Sequence, residues 1–330
     1  MRKPVCATLA VMMSLLFSPL SQAGQAWESY KARFFKPEGR IVDTGNGGVS
    51  HTEGQGFAML MAVANDDKAT FDKLWQWTNR ELKNKENGLF YWRYNPAESN
   101  PVADKNNAAD GDVLIAWALL KADARWHDKR YSAASDAITK ALVAHSVIRY
   151  AGYRVMLPGV QGFKLDGEVV LNPSYFVFPA WQAFAGRSHL PVWRDLIKDG
   201  KRLLGKMGSG KANLPADWVS LTSDGKLEPA KGWPPRMSYD AIRIPLYLAW
   251  SDKQSPLLTP WKAWFGQFPR EQTPAWVNVT TNEYAPYMME GGLLAVRDLT
   301  MGQPAGEPEI TSKDDYYSAS LKMLVWISAQ

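Results

Sequence analysis

The stretch Ala108-Ala109-Asp110-Gly111-Asp112 leads directly into residues 113–120, a run that is apolar on every side. A helix that is apolar all round is an interior helix, so its first turn also lies inside the protein. Carboxylates are seldom placed near a core without a partner or a task. Asp110 is therefore either a helix cap or a residue with a chemical role.

The same arrangement, an acid followed by an apolar run, recurs along the chain. Glu53 precedes the run 57–64, and Asp240 precedes the run 242–250. Further apolar runs begin at Phe176, near Glu283 and Tyr284, and after Tyr317. Segments with one polar face follow most of them, at residues 71–82, 131–145, 192–204 and 261–268. Buried and amphipathic helices therefore alternate.

Alternating helices of these two kinds predict a closed ring. A stack of helical pairs has to cover an inner row of apolar helices, and closing the stack into a ring covers that row completely. The chain has 330 residues, of which 46% are hydrophobic, and no Ser/Pro/Gly-rich linker divides it. We expect a single all-α domain, an α/α barrel of about six pairs, with the N-termini of the inner helices at one mouth.

The N-terminus has the features of a secretory signal. Arg2 and Lys3 precede an apolar stretch, 7–17, and Ser21-Gln22-Ala23 fits the small-x-small cleavage pattern. The stretch is too short to span a membrane. We therefore predict a signal peptide at 1–23, a single domain at 24–330, and a protein exported to the periplasm or secreted. Cys6, the single cysteine, lies within that signal, which leaves the mature chain without disulfides.

Several classes of function are disfavoured by composition. The formal charge of +5 is modest and the basic residues are scattered, which is not typical of a nucleic-acid or membrane surface. The four histidines lack the spacing of metal ligands. Residues 205–212 resemble a phosphate-binding loop but follow an amphipathic segment, and Ala212 replaces the hydroxyl that would bind Mg²⁺. We expect no cofactor and no metal.

Aromatic residues are abundant. The chain has fifteen tryptophans, and Trp92, Trp218 and Trp233 lie in polar, loop-like settings. Packing in cores is the commonest use of such side chains, and about two thirds of the tryptophans are expected there. Sugar rings have apolar faces and polar edges, so the remaining tryptophans predict a sugar-binding groove.

Four motifs, in order and spread over nearly the whole mature chain, resemble glycoside hydrolase family 8. They are Ser50-His51-Thr52-Glu53-Gly54-Gln55-Gly56-Phe57, Ala108-Ala109-Asp110-Gly111-Asp112, Asn172-Pro173-Ser174-Tyr175-Phe176 and Ser238-Tyr239-Asp240-Ala241-Ile242-Arg243. The resemblance implies an (α/α)6 barrel of six inner and six outer helices. It also implies an inverting, endo-acting hydrolase of β-1,4-glucan, similar to bacterial endoglucanases.

The resemblance also assigns site residues. Glu53 matches the general acid, Asp240 the general base, and Asp110 the acid that holds the sugar at the cleavage point. Ala109 departs from the Ser or Thr that is usual in the family. Positions lining the groove are matched by Trp92, Tyr175, Arg243, Tyr316 and Tyr317.

The assigned chemistry explains why acids are brought together. Glycoside hydrolysis needs one carboxyl to protonate the leaving oxygen and one carboxylate to activate water. Clustered acids in an apolar surround raise one another's proton affinity, which is expected to keep Glu53 protonated. Arg243 lies one turn after Asp240 and is expected to orient it, the alternative being a surface ion pair.

Other functions remain open from the sequence. The same fold acting on xylan, mixed-linkage glucan or chitosan is the nearest alternative, although the intact Tyr239-Asp240-Ala241 favours glucan or xylan over chitosan. A non-catalytic glycan-binding scaffold is the alternative from another class, and it would tolerate loss of Glu53 or Asp240. The expected partner is a β-1,4-glucan, with no nucleic acid and no membrane, and the expected state is a monomer.

Overall fold

The computed structural model describes residues 23–330, and these form a ring of helices. Residues 1–22, which contain Cys6 and most of the predicted signal peptide, lie outside the described residues. The helices are α1 (Ala23–Phe34), α2 (Thr52–Ala64), α3 (Lys68–Glu81), α4 (Ala109–Trp126), α5 (Lys129–His145), α6 (Phe178–Ser188), α7 (Pro191–Leu204), α8 (Arg243–Ser251), α9 (Thr259–Phe265), α10 (Gly291–Thr300) and α11 (Tyr316–Ser328).

Six of these helices form the inner ring. Helices α2, α4, α6, α8, α10 and α11 pack side by side in this order, and α11 packs against α2 to close the ring. Outside them, α3, α5 and α7 pack on α2, α4 and α6, while α9 contacts α10 and α1 contacts α11. This architecture confirms the (α/α)6 barrel. We call the end at which the inner helices begin the mouth of the barrel.

The sixth outer position differs from the expected helix. Within residues 23–330 the ring has eleven helices, and residues 301–315, between α10 and α11, are not helical. Gly302, Pro304, Gly306 and Pro308 alternate in this segment, and both residue types oppose helix formation. The segment instead runs beside α1, where Glu307 accepts a hydrogen bond of 3.0 Å from the backbone N–H of Ala26.

The predicted start of the fifth inner helix is also corrected. Residues 283–290 form loop and turn, and α10 begins at Gly291 rather than near Glu283 and Tyr284. Pro286 explains the delay, because the residue before a proline is disfavoured in helical conformation.

Glycines allow α2 and α4 to pack closely near the mouth. A Cβ atom at Gly111 would overlap the Oγ1 atom of Thr52, and one at Gly56 would lie 2.5 Å from the Cβ atom of Leu114. Both separations are shorter than any van der Waals contact. The first turns of the two helices, which carry Glu53 and Asp110, are therefore held side by side by backbone contact.

In the part of the chain that the structure describes, nine short strands form four small antiparallel sheets near the helix ends. Three strands lead to inner helices: β1 to α2, β5 to α6 through a 3₁₀ turn, and β8 to α8. These sheets were not predicted from the sequence. Their bounds are β1 (Ser50–His51) with β2 (Arg93–Tyr94), β3 (Val147–Tyr150) with β4 (Tyr153–Met156), β5 (Glu168–Leu171) with β6 (Val219–Thr222) and β7 (Leu227–Pro229), and β8 (Arg236–Met237) with β9 (Val277–Asn278).

One hydrophobic cluster runs from Ala26 to Ile327 and fills the space between the two rings. Each helix within residues 23–330 is too short or too polar to cross a bilayer.

Candidate active site

Three carboxylates meet around the guanidinium group of Arg243 at the mouth of the barrel. Glu53 and Asp110 are the second residues of α2 and α4, and Asp240 lies in the turn just before α8, which Arg243 begins. Because the inner helices start at the same end of the ring, their first turns converge. The structure therefore brings the three predicted acids together.

Arg243 binds these acids through both terminal nitrogens. Its Nη1 donates to Oε2 of Glu53, and its Nη2 donates to Oδ1 of Asp240 at 2.9 Å and lies 3.8 Å from Oδ2 of Asp110. The Arg243 side chain is only 2% exposed. The alternative of a surface ion pair is therefore wrong, and Arg243 is the buried centre of the cluster.

The 3₁₀ turn Pro173–Tyr175, in the third motif, provides a further hydrogen-bond acceptor for Arg243. Its Nη2 also donates to Oγ of Ser174 at 2.8 Å. Oδ1 of Asn172 in turn accepts from the hydroxyl and the backbone N–H of Ser174, at 2.6 and 3.0 Å. The guanidinium lies 5.9 Å from the ring of Tyr175. Ser174 and Asn172 are fully buried. Apart from their place in the motif, no sequence pattern indicated this role.

The two tyrosines at the start of α11 occupy different positions. The hydroxyl of Tyr316, which is buried, donates to Oε1 of Glu53 at 3.4 Å. The ring of Tyr316 packs edge-on against His51, which is hydrogen-bonded to Asp43 at 2.9 Å. The hydroxyl of Tyr317 donates to the backbone carbonyl of Tyr239. Tyr316 thus supports the Glu53 carboxyl, and Tyr317 supports the turn that carries Asp240.

The backbone of Trp92 is hydrogen-bonded to the first residue of α2, next to Glu53. Its backbone carbonyl accepts from the N–H of Thr52 at 3.0 Å, and its indole N–H donates to Asp104 at 2.7 Å. The side chain is half-buried. Trp92 is therefore outside the core, as expected for a groove residue.

The other tryptophans divide as the sequence predicts. Nine of the fifteen are buried, close to the expected two thirds. Among the half-buried ones, Trp218 stacks between Trp233 and Phe163, with ring centroids 4.9 and 5.7 Å apart. Trp218 also lies 6.2 Å from the ring of Tyr175, so an aromatic surface borders the cluster.

The two acids of the opening stretch have different surroundings. The carboxylate of Asp112 has a structural role. Its oxygens accept hydrogen bonds from the backbone N–H of Phe90 at 2.9 Å and from Nδ2 of Asn107 at 2.8 Å. The N-cap of α4 is Ala108, and Asp110 accepts only the N–H of Gly111, at 2.8 Å. Asp110 is therefore not an N-cap, and its second oxygen faces Arg243.

Burial changes the proton affinity of this cluster. Burial, with the charge of Asp112 adding to it, raises the pKa of Asp110 to about 7 against the opposing hydrogen bond from Gly111. Burial raises the pKa of Asp240 as well, followed by the charges of Asp217 and Asp110. The charge of Asp110 thus adds to the raised pKa of Asp240, while the structure pairs Glu53 with Arg243. The protonation of Glu53 expected from the sequence stays a prediction.

We expect Asp110→Asn to raise KM and lower kcat together, because the uncharged amide grips a distorted sugar ring less strongly. Steady-state kinetics on cellopentaose measure both changes. Asn caps helices about as well as Asp, so kinetics unchanged from the wild type would contradict a role beyond the helix terminus. Asp128→Asn, at the N-cap of α5, is the matched control and is expected to leave both constants unchanged.

Comparisons with known proteins identify the family. The model of the glycosyl hydrolases family 8 matches residues 1–330. An endoglucanase from Cellulomonas uda is 61% identical over 312 residues, which is 94% of this chain and 87% of the relative. The solved structure of an endoglucanase from Klebsiella pneumoniae, described as a family 8 glycosyl hydrolase, is 67% identical with a TM-score of 0.91. The match covers 92% of this chain and 98% of that one.

A second solved structure is equally similar. It is a family 8 endo-β-1,4-glucanase from an Achatina fulica gut metagenomic library, 67% identical with a TM-score of 0.92, and the match covers 94% of this chain and 98% of that one. The family match and these relatives show that the chain is a glycoside hydrolase. The chain belongs to family 8 of the glycosyl hydrolases.

Proposed function

We propose that the chain is an endo-β-1,4-glucanase that cleaves internal bonds with inversion of configuration. The observation that carries the proposal is the placement of Glu53 and Asp240 on different nitrogens of one buried guanidinium, with both side chains partly open to solvent. The relatives named above, which are endoglucanases, support the glucan substrate.

In this proposal Glu53 is the general acid and Asp240 the general base. Arg243 occupies Oε2 of Glu53, so the proton to be transferred belongs on Oε1, beside the hydroxyl of Tyr316. Asp240 activates a water molecule on the other side of the sugar. An inverting pair stands roughly 6.5 to 9.5 Å apart to leave room for that water. Glu53 and Asp240 bind different terminal nitrogens of the same guanidinium, which supports their assignment as a pair.

Asp110 and the aromatic residues are proposed to bind the substrate. Asp110 holds the sugar ring at the cleavage point, and Trp92, Tyr175 and Tyr317 provide flat surfaces for ring faces. Arg243 and Tyr316, both buried, act through the carboxyls that they contact.

We further propose export and removal of residues 1–23, with the catalytic domain at 24–330 acting as a monomer. Support for export comes from Arg2, Lys3 and the Ser21-Gln22-Ala23 pattern. The core that the structure describes begins at Ala26, so the proposed mature chain contains all of it.

The substrate assignment is tested by measuring reducing ends released from carboxymethyl cellulose, lichenan, xylan and chitosan side by side. The proposal requires the highest rate on a β-1,4-glucan. A higher rate on xylan or chitosan would overturn the glucan assignment, and no release from any of the four would favour a glycan-binding scaffold.

We expect the new reducing end to appear first as the α-anomer, because water activated by Asp240 attacks from the face opposite the leaving group. Proton NMR of cellopentaose during the first minutes of hydrolysis measures this before mutarotation. Initial β-anomer would require a nucleophilic carboxylate only about 5 to 5.5 Å from the acid and would rule out Asp240 as general base.

A further inference from the structure

Asp217, which the sequence did not single out as catalytic, is directed at the turn that carries Asp240. Its Oδ1 accepts the backbone N–H groups of Ser238, at 2.9 Å, and of Ala241, at 2.8 Å. Its Oδ2 accepts the hydroxyl of Ser238. The N–H of Asp217 itself donates to the carbonyl of Arg236 at 2.7 Å. One carboxylate thus binds both ends of the turn, with Asp240 between them.

The start of α8 binds only the carbonyl groups of the turn: the N–H groups of Ile242, Arg243 and Ile244 donate to the carbonyls of Ser238, Asp240 and Ala241, each at 3.0 Å. The N-cap Ile242 makes no side-chain hydrogen bond, so the N–H groups of Ser238 and Ala241 need acceptors from elsewhere. Asp217 supplies these acceptors from just before β6, more than twenty residues earlier in the chain. A carboxylate there is also stabilised by the helix dipole.

We propose that Asp217 is a positioning residue for Asp240: it holds the turn 238–241 in the geometry that general-base catalysis needs, and its negative charge strengthens Asp240 as a proton acceptor. The proposal rests on the role of Asp240 in the function proposed above. It assigns Asp217 no contact with the substrate.

The charges around Asp240 come from every element packed against the turn. Arg243 on α8 contacts it directly, Asp110 faces it from α4, Tyr175 and Tyr317 flank it, and Asp217 lies behind it. After burial, the charge of Asp217 is the strongest influence that raises the pKa of Asp240. Burial raises the pKa of Asp217 too, while its donors at Ser238 and Ala241 favour the ionised form.

Substitution by Asn separates charge from geometry. The amide oxygen of Asp217→Asn can accept both backbone N–H groups, and its NH₂ group can donate to the Ser238 hydroxyl, so the turn is kept while the charge is lost. The pKa of Asp240 then falls, and a larger share of Asp240 is ionised at acid pH. The ratio of variant to wild-type kcat/KM should therefore rise as the pH falls.

The experiment measures kcat, KM and Tm on cellopentaose for Asp217→Asn, Asp217→Ala and the wild type. For Asp217→Asn, we expect the kcat/KM ratio to the wild type to be at least about threefold higher at about pH 4.5 than at about pH 8. For Asp217→Ala, which frees the turn, we expect kcat to fall at least about tenfold with KM changed far less. Asp224→Asn, an exposed residue in the turn after β6, is the charge-matched control, with a ratio that does not depend on pH.

A flat ratio for Asp217→Asn would overturn the electrostatic part, because a residue that only braces the fold lowers activity equally at every pH. Wild-type kcat in a folded Asp217→Ala would overturn the positioning part. If Asp217→Ala does not fold, the pH dependence of Asp217→Asn decides alone. Asp240→Asn separates the two proposals: if it stays active, the proposed function fails, whereas if it is inactive and the Asp217→Asn ratio is flat, only the inference about Asp217 fails.

Discussion

Glu53→Gln is expected to lower kcat on cellopentaose by at least about 100-fold while oligosaccharide binding is retained, because general acid catalysis contributes about 10² to 10⁴ in rate. The amide keeps the shape of the side chain, and its oxygen can still accept from Arg243. Only the transferable proton is lost. Stopped assays over hours measure the residual rate, and calorimetric titration with cellopentaose measures binding.

A matched control is Glu86→Gln, which makes the same chemical change at an exposed position in the loop after α3. Its kcat should equal that of the wild type. More than about a tenth of wild-type activity in Glu53→Gln would assign the general acid to another residue.

Arg243→Met is expected to have the largest effect on stability, in addition to loss of activity. Removing one partner of a buried ion pair costs about 3 to 5 kcal/mol, and here three carboxylates lose a common partner. Asp110 already has a pKa raised to about 7, so it favours the fold when protonated and this contribution is lost as the pH rises through 7. The fall in Tm relative to the wild type should therefore be larger at about pH 8 than at about pH 5.

Two variants serve as comparisons for Arg243→Met. Arg187→Met, which breaks an exposed pair with Asp136, should cost less than about 1 kcal/mol. Arg243→Lys keeps the charge but not the second nitrogen needed to bind Glu53 and Asp240 together, so we expect it to recover stability more than activity. A fall in Tm for Arg243→Met that does not depend on pH would show that lost packing, rather than uncompensated charge, is the cause.

The elements that the sequence predicted well are those defined by local pattern. Apolar runs, three of them with an acid just before or at the start, identified five of the six inner helices, and the order of the runs identified the ring. The predicted helix start near Glu283 is wrong because Pro286 follows it. The resemblance implies a sixth outer helix, and residues 301–315, in which glycine and proline alternate, do not form one.

The contacts within the site depended on information that one sequence does not contain. Glu53 and Arg243 are 190 residues apart, and they meet only because the ring closes. Asp217 lies in a loop beside strands of two to four residues. Such strands are too short to show the alternation of polar and apolar residues by which a strand is predicted. Ser174 was part of a recognised motif, but the sequence analysis assigned a functional role only to its neighbour Tyr175.

The glycine contact between α2 and α4 has a consequence for how the enzyme can diverge. Gly56 and Gly111 fix the spacing of these helices by backbone contact. The loss of conformational entropy that positions Glu53 and Asp110 therefore occurs on folding and does not reduce the free energy of substrate binding. Trp92, which is proposed to bind the sugar, and Trp218, in the aromatic surface that borders the cluster, lie outside the helices. Substitutions there can change which polysaccharide is accepted without moving the acids, so binding preference and bond-breaking chemistry are free to vary separately.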